Sequence, residues 1–179
     1  MKAPFKLLIL AAPLLWTSPA VASDKDWDRA SSIGRDLLVG AAIGVPVVQG
    51  DWRGALEAGG GMAVAGGTTF VLKELIHERR PDGSDGRSFP SGHTSVSFAA
   101  AATLDKRYGW KAGLPALVMA TLVGFARVQA DKHYVQDVLA GAVIGSASGL
   151  FLTSKRNDRV QLVPWAGYRS GGVSFAARF

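Results

Sequence analysis

The sequence contains no cysteine, which removes disulfide frameworks, thiolate nucleophiles and cysteine-ligated metals together and leaves the redox compartment open. Charged residues are few as well, 19% of the chain against 48% hydrophobic. They sit in short clusters between long apolar blocks, a pattern that fits neither a disordered tail nor a charge-laced coiled coil. Aromatic residues make up 9% and do not alternate with basic ones as a base-stacking surface requires. No zinc-finger spacing occurs, so nucleic acid is excluded as the partner. Negative charge is the scarcer sign: 14 acidic against 20 basic residues leave a net charge of +6. That excess suits an anionic membrane surface or a phosphorylated substrate.

What is present is enough for one domain with a sizeable core: 179 residues, with a mean hydropathy of +0.18. The opening stretch "MKAPFKLLILAAPLLWTSPAVAS" has Lys2 and Lys6 as a basic head, an apolar run from Leu7 to Trp16, and Ala20-Val21-Ala22 as a small-x-small cleavage site. Residues 1–22 therefore read as a bacterial secretory signal, or failing cleavage as a first membrane helix. In either case the chain that follows begins outside the inner membrane. A polar lead, 23–33, comes next.

Five apolar segments follow, roughly Gly34 to Gly50, Gly54 to Ile76, Ser91 to Leu104, Ala112 to Val128 and Tyr134 to Thr153. Each is long enough for a helix and none alternates with period two, so an all-α bundle of five to six helices is expected. The breaks carry turn or basic residues: "GDWRG", "HERRPDGSDGRSFPSG", "DKRYGWKAG", "ADKHY" and "SKRNDR". Threaded from an outside start, the segments place Arg53, Lys106-Arg107-Lys111 and Lys155-Arg156-Arg159 inside. "HERRPDGSDGRSFPSG" and "RVQADKH" fall outside. This bias toward positive charge inside predicts a membrane-embedded bundle. Because several segments fall short of the usual span and much of their apolarity is Gly and Ala, a soluble secreted bundle is the alternative. The tail, 154–179, holds two strand-like runs, "RVQLVPWAG" and "GGVSFAARF", around "YRSGG", a short hairpin.

Three clusters lie at one end of this helix set. In "KELIHERRP", Lys73 and Arg80 are seven residues apart, two turns of helix, so both cations point the same way, and Pro81 ends the segment. Two such cations do no more by themselves than oppose a helix dipole. In "SFPSGHTSVSF", Pro90 and Ser91 start a helix whose first amides lack intrahelical partners, and Gly92 admits an anion close to the backbone, with His93 in the first turn. In "ARVQADKHYVQD", His133 and Asp137 are four apart, on one helical face, so the carboxylate can hold one imidazole nitrogen and leave the other free. Arg127, six residues upstream, needs a break in the helix to join them. The third histidine, His77, has no carboxylate at helical spacing on its C-terminal side and reads as a helix-surface residue.

Taken together, K-x6-R-P, then P-S-G-H, then R-x5-H-x3-D resembles the three-part signature of the type 2 phosphatidic acid phosphatase superfamily, which includes bacterial acid phosphatases and vanadium haloperoxidases. The resemblance covers 34–153 and departs at one position, where Ala126 replaces the usual serine before the last arginine. It implies a metal-independent phosphatase without cofactor. His133 would be the nucleophile that forms a phosphohistidine, Asp137 its orienting partner, and His93 the acid for the leaving group. Lys73, Arg80, Arg127 and the Ser91 and Gly92 amides would bind the phosphoryl oxygens. The substrates expected at an outer membrane edge are phosphorylated lipids: phosphatidic acid, phosphatidylglycerol phosphate, undecaprenyl diphosphate or lipid A. A soluble domain would instead be a broad periplasmic acid phosphatase. The haloperoxidase and a non-enzymatic membrane protein are the remaining classes.

Overall fold

The computed structural model describes residues 22–156, 160–166 and 170–177, so the secretory signal lies almost wholly outside the described residues. Five helices follow one another: α1 (Asp24–Val48), α2 (Trp52–Leu75), α3 (Gly92–Tyr108), α4 (Trp110–Gln129) and α5 (Val135–Leu152). Strands β1 (Val160–Ala166) and β2 (Gly171–Ala177) pair antiparallel, Val160 opposite Ala177, as the expected hairpin.

The polar lead is not a separate segment. It forms the first turns of α1, which starts at Asp24 and not near Gly34. A capping box explains the start: the Asp26 amide donates to Ser23 Oγ, and the Asp26 carboxylate accepts from the Ser23 amide at 3.0 Å. Polarity there marks where the helix leaves apolar surroundings, not where helix begins. At the other junctions Asp51 caps α2 through the Gly54 amide and Ser91 caps α3. Gly109 joins α3 to α4 at φ +81°, a conformation suited to glycine.

α3 is the central helix and packs against the other four. Its neighbours approach closely because the interior is built from small residues: Ala42, Ala58, Ala65, Ala99, Ala100 and Ala120 are buried. Along α5, Gly141, Gly145 and Gly149 recur every four residues. A Cβ on any of them would come within 3.0 Å of the α3 backbone oxygens of Ser91, Ser95 and Ala99 in turn. This is the small-residue seam by which helices associate where water supplies no hydrophobic driving force.

The large apolar residues face outward instead: Leu37, Leu56, Phe70, Leu122, Leu139, Val143 and Phe151 are all exposed. α1, α4 and α5, of 25, 20 and 18 residues, are long and apolar enough to cross a bilayer. α1 and α4 run longer than the first and fourth apolar segments read in the sequence, which brings both to spanning length. The bundle is embedded in a membrane, small inside and apolar outside. Up-and-down threading brings the N-termini of α1, α3 and α5 and the C-termini of α2 and α4 to one end.

Candidate active site

Each predicted site residue lies at that end, though several arrive by a route other than helix periodicity. α2 stops at Leu75, so Lys73 and Arg80 do not share a helix face. Lys73 donates to the carbonyls of Arg87 and Ser88 at 2.5 and 3.0 Å, which ties α2 to the stretch leading into α3. Arg80 is delivered by the α2–α3 loop, which is folded by an isolated bridge between Glu78 and Arg87 and by the Arg80 amide on the Asp85 carbonyl at 3.0 Å. Its Nε donates to Asp85 at 2.7 Å, and its Nη1 donates to the Lys132 carbonyl at 3.1 Å and faces His133 Nε2 at 3.4 Å. His77 lies past the end of α2, in the loop and exposed, so it is not on a helix surface.

The expected break between Arg127 and His133 exists. α4 ends at Gln129, Asp131 turns the chain at φ +51°, and the Lys132 amide returns to the Arg127 carbonyl at 3.1 Å. An aspartate accepts that conformation more readily than most residues. Lys132 also clamps the two loops together through Asp82 at 2.6 Å, and this hydrogen bond leads the causes holding the Asp82 carboxyl well below the usual range.

His133 and Asp137 do not share a helix. His133 precedes α5, and Asp137 occupies the third position of α5, where it accepts from the Tyr134 amide at 2.9 Å and from Ser88 Oγ at 2.5 Å. The fully buried carboxylate faces His133 Nδ1 at 3.4 Å. An arginine N–H can only donate, so the Arg80 contact leaves the lone pair on His133 Nε2 and puts the proton on Nδ1, toward Asp137. Burial, then the charges of Arg127, Arg80 and Lys73, push the His133 pKa down to about 3 against the opposing pull of Asp137. The imidazole is therefore neutral at physiological pH, with its Nε2 lone pair facing Arg80.

His93, in the first turn of α3, places Nε2 3.1 Å from both Ser32 Oγ and Arg35 Nη1 of α1. Arg127 pairs with Asp28 and donates to Ser31 Oγ at 3.2 Å, while its buried Nε has no partner among the described residues. The Ser91 amide, expected at the phosphate, instead donates to the Asp137 carbonyl at 3.0 Å and holds α3 to α5, while Ser91 Oγ accepts from Thr94 at 2.9 Å and keeps its own proton to donate. The Gly92 and His93 amides are first-turn amides without helical partners. A Cβ on Gly92 would meet Thr69 only at ordinary contact distance, 3.6 Å, so packing within the protein does not require glycine there.

The α1 residues escaped the sequence reading. Asp28, Ser31, Ser32 and Arg35 recur at helical spacing in "DRASSIGR", a polar stripe on one face, and taking that stretch for a non-helical lead concealed it. Ser88, which orients Asp137, lies within the quoted motif, but nothing in its spacing marks it.

These features gather cations around a histidine that faces a buried carboxylate. Residues 54–161 match the PAP2 superfamily, and the chain belongs to that family. The lipid A 4'-phosphatase of Helicobacter pylori is 31% identical over 149 residues, 74% of this chain and 75% of that protein. The lipid A 1-phosphatase of Porphyromonas gingivalis is 35% identical over 92 residues. That match spans half of this chain and about a fifth of the relative, 21%. Among solved structures, LpxE of Aquifex aeolicus shares the fold, with a TM-score of 0.62 and 21% identity over 72% of this chain and 84% of that one.

Proposed function

We propose that this protein is a metal-independent lipid phosphatase, acting on phosphate monoesters or diphosphates of lipids through a phosphohistidine. One observation carries the reading: the buried His133 turns the Nε2 lone pair toward Arg80 while Asp137 faces its other nitrogen. In the first half-reaction Nε2 attacks phosphorus in line with the leaving oxygen. Lys73, Arg80 and Arg127, with the Gly92 and His93 amides, take up the charge on the equatorial oxygens. His93 gives a departing alkoxide its proton. Water then attacks the phosphohistidine with His93 as base, which releases orthophosphate and restores His133.

The apolar exterior favours a lipid as substrate, and the phosphorylated lipids in question are phosphatidic acid, phosphatidylglycerol phosphate, undecaprenyl diphosphate and lipid A. The Helicobacter relative, covered over three quarters of its length, lends lipid A weight. Arg53, Lys106, Lys111 and Lys155 lie at or near the end opposite the site, an arrangement that supports an inner-membrane protein whose site faces the periplasm. The test is phosphate release in EDTA from phosphatidic acid, a prenyl diphosphate, lipid A and a soluble phosphomonoester, comparing the native protein with His133→Ala. Native activity that survives EDTA and disappears in the variant is the expected result. Equal rates in the two proteins would remove the phosphohistidine, and activity lost to EDTA would remove the metal-independent route.

A further inference from the structure

Arg35 belongs to none of the three sequence motifs, yet it sits against the group expected to serve the leaving oxygen. Its Nε and Nη2 are engaged by the neighbouring, exposed Asp36 at 2.9 and 2.7 Å, while Nη1 turns inward to His93 Nε2 at 3.1 Å. Its side chain stays about one third exposed, 32%, so the guanidinium touches His93 and is also reached from outside the bundle. Ser32 Oγ lies at the same nitrogen.

This contact constrains what His93 can do. Because Arg35 can only donate, the His93 nitrogen it meets carries a lone pair in this state and holds no proton ready for a leaving oxygen. Two kinds of leaving group respond differently. The alkoxide of a phosphomonoester is strongly basic and needs a proton as it departs. The phosphate that departs from a diphosphate is weakly basic and leaves as an anion, and what it needs is a cation.

We infer that Arg35 is a specificity-determining residue that selects diphosphates, substrates whose leaving group carries its own phosphate. The inference rests on the phosphatase reading above. His133 Nε2 bonds to the terminal phosphorus, the bridging P–O bond breaks, and its electron pair stays with the departing monophosphate, which Arg35 and Ser32 receive. Water then attacks the phosphohistidine, the P–N bond breaks, and the water proton passes to the lone pair of His93 Nε2. Orthophosphate leaves, and His93 releases the proton to solvent.

The test measures kcat/KM for a prenyl diphosphate and for phosphatidic acid with the full chain in detergent micelles, using the native protein, Arg35→Ala, Arg35→Lys and His133→Ala. Inhibition by methylenediphosphonate is compared with inhibition by orthophosphate, and thermal unfolding confirms that each variant is folded. The native protein is expected to favour the diphosphate. Arg35→Ala should lower the diphosphate-to-monoester ratio about tenfold or more and weaken methylenediphosphonate by a similar factor relative to orthophosphate, with Arg35→Lys restoring part of both. An unchanged ratio in an active Arg35→Ala protein overturns this inference alone. Native protein no better than His133→Ala on either substrate overturns the phosphatase reading, and this inference with it.

Discussion

The two ends of the bundle each bury an arginine, and they treat it in opposite ways. At the end away from the site, Arg107 of α3 is 4% exposed and closed in on every side. Its Nε donates to Asp51 at 2.5 Å, its Nη2 pairs with the same carboxylate, and its Nη1 reaches Glu57 and the Ser154 carbonyl, both at 3.0 Å. Tyr108 adds a hydrogen bond to Asp51 at 2.8 Å. At the site, Arg127 of α4 is as deeply buried, 6% exposed, yet it meets one half-exposed carboxylate, Asp28, and a serine, with Nε left over. Among the described residues Lys73 hydrogen-bonds to carbonyls alone. A buried cation with its counter-charges supplied ties helices together, whereas one left short of them keeps its field for an anion that arrives later.

The largest expected effect is on the chemistry. His133→Ala should reduce phosphate release by roughly 10⁴-fold or more, as loss of a covalent nucleophile does, with little change in unfolding temperature. The sharpest test of the contrast exchanges the two arginines as targets. Arg127→Ala should cost about 10²- to 10³-fold in kcat/KM and leave stability nearly unchanged. Arg107→Ala, by stranding Asp51 and Glu57, should destabilise by on the order of 3 kcal/mol while each folded molecule stays active. Scanning calorimetry in detergent beside the activity assay reads both, and a matched loss of stability in the two variants would break the comparison.

The pH profile comes next. His133 has a folded pKa, about 3, below its unfolded value, so the folded state binds fewer protons. The stability this contributes is fully present above the unfolded pKa of about 6.5 and is lost as pH falls toward 3. Activity should accordingly lack the acid limb near pH 6.5 that an unperturbed histidine nucleophile would impose. An acid limb centred there in kcat/KM, absent from a His93 variant with residual activity, would assign that titration to His93; one that persists would count against the neutral His133. The smallest effect is expected at Ser88, whose hydroxyl donates to Asp137 at 2.5 Å. Ser88→Ala should lower kcat about tenfold, the worth of one hydrogen bond to a charged group, with KM nearly unchanged.

Much of this was legible before any coordinates. The helix count, the C-terminal hairpin, the membrane character and the residues that gather at one end follow from composition, from apolar block lengths and from three short motifs. These are local signals, because a helix writes its period and its caps into neighbouring residues. The errors are equally physical. Spacings of seven and four fit a helix, so the sequence reads as if Lys73 and Arg80 share one helix face and His133 and Asp137 another. In the folded chain a loop carries Arg80 and a turn carries His133, and the same spacings are met by other means.

Residue identity and order therefore specified the constellation: two histidines, a carboxylate and three cations in motif order, at one end of a bundle with three helices apolar enough for a bilayer. Tertiary packing alone decided which of them are neutralised. Whether Ser91 offers its amide depends on where Asp137 falls, whether Arg127 is quenched depends on the entry of α1, and whether His93 meets Arg35 depends on a contact spanning 58 residues. The physical reason is that a side chain's electrostatic state is set by groups within a few ångströms, and those groups are brought there by helices distant in sequence.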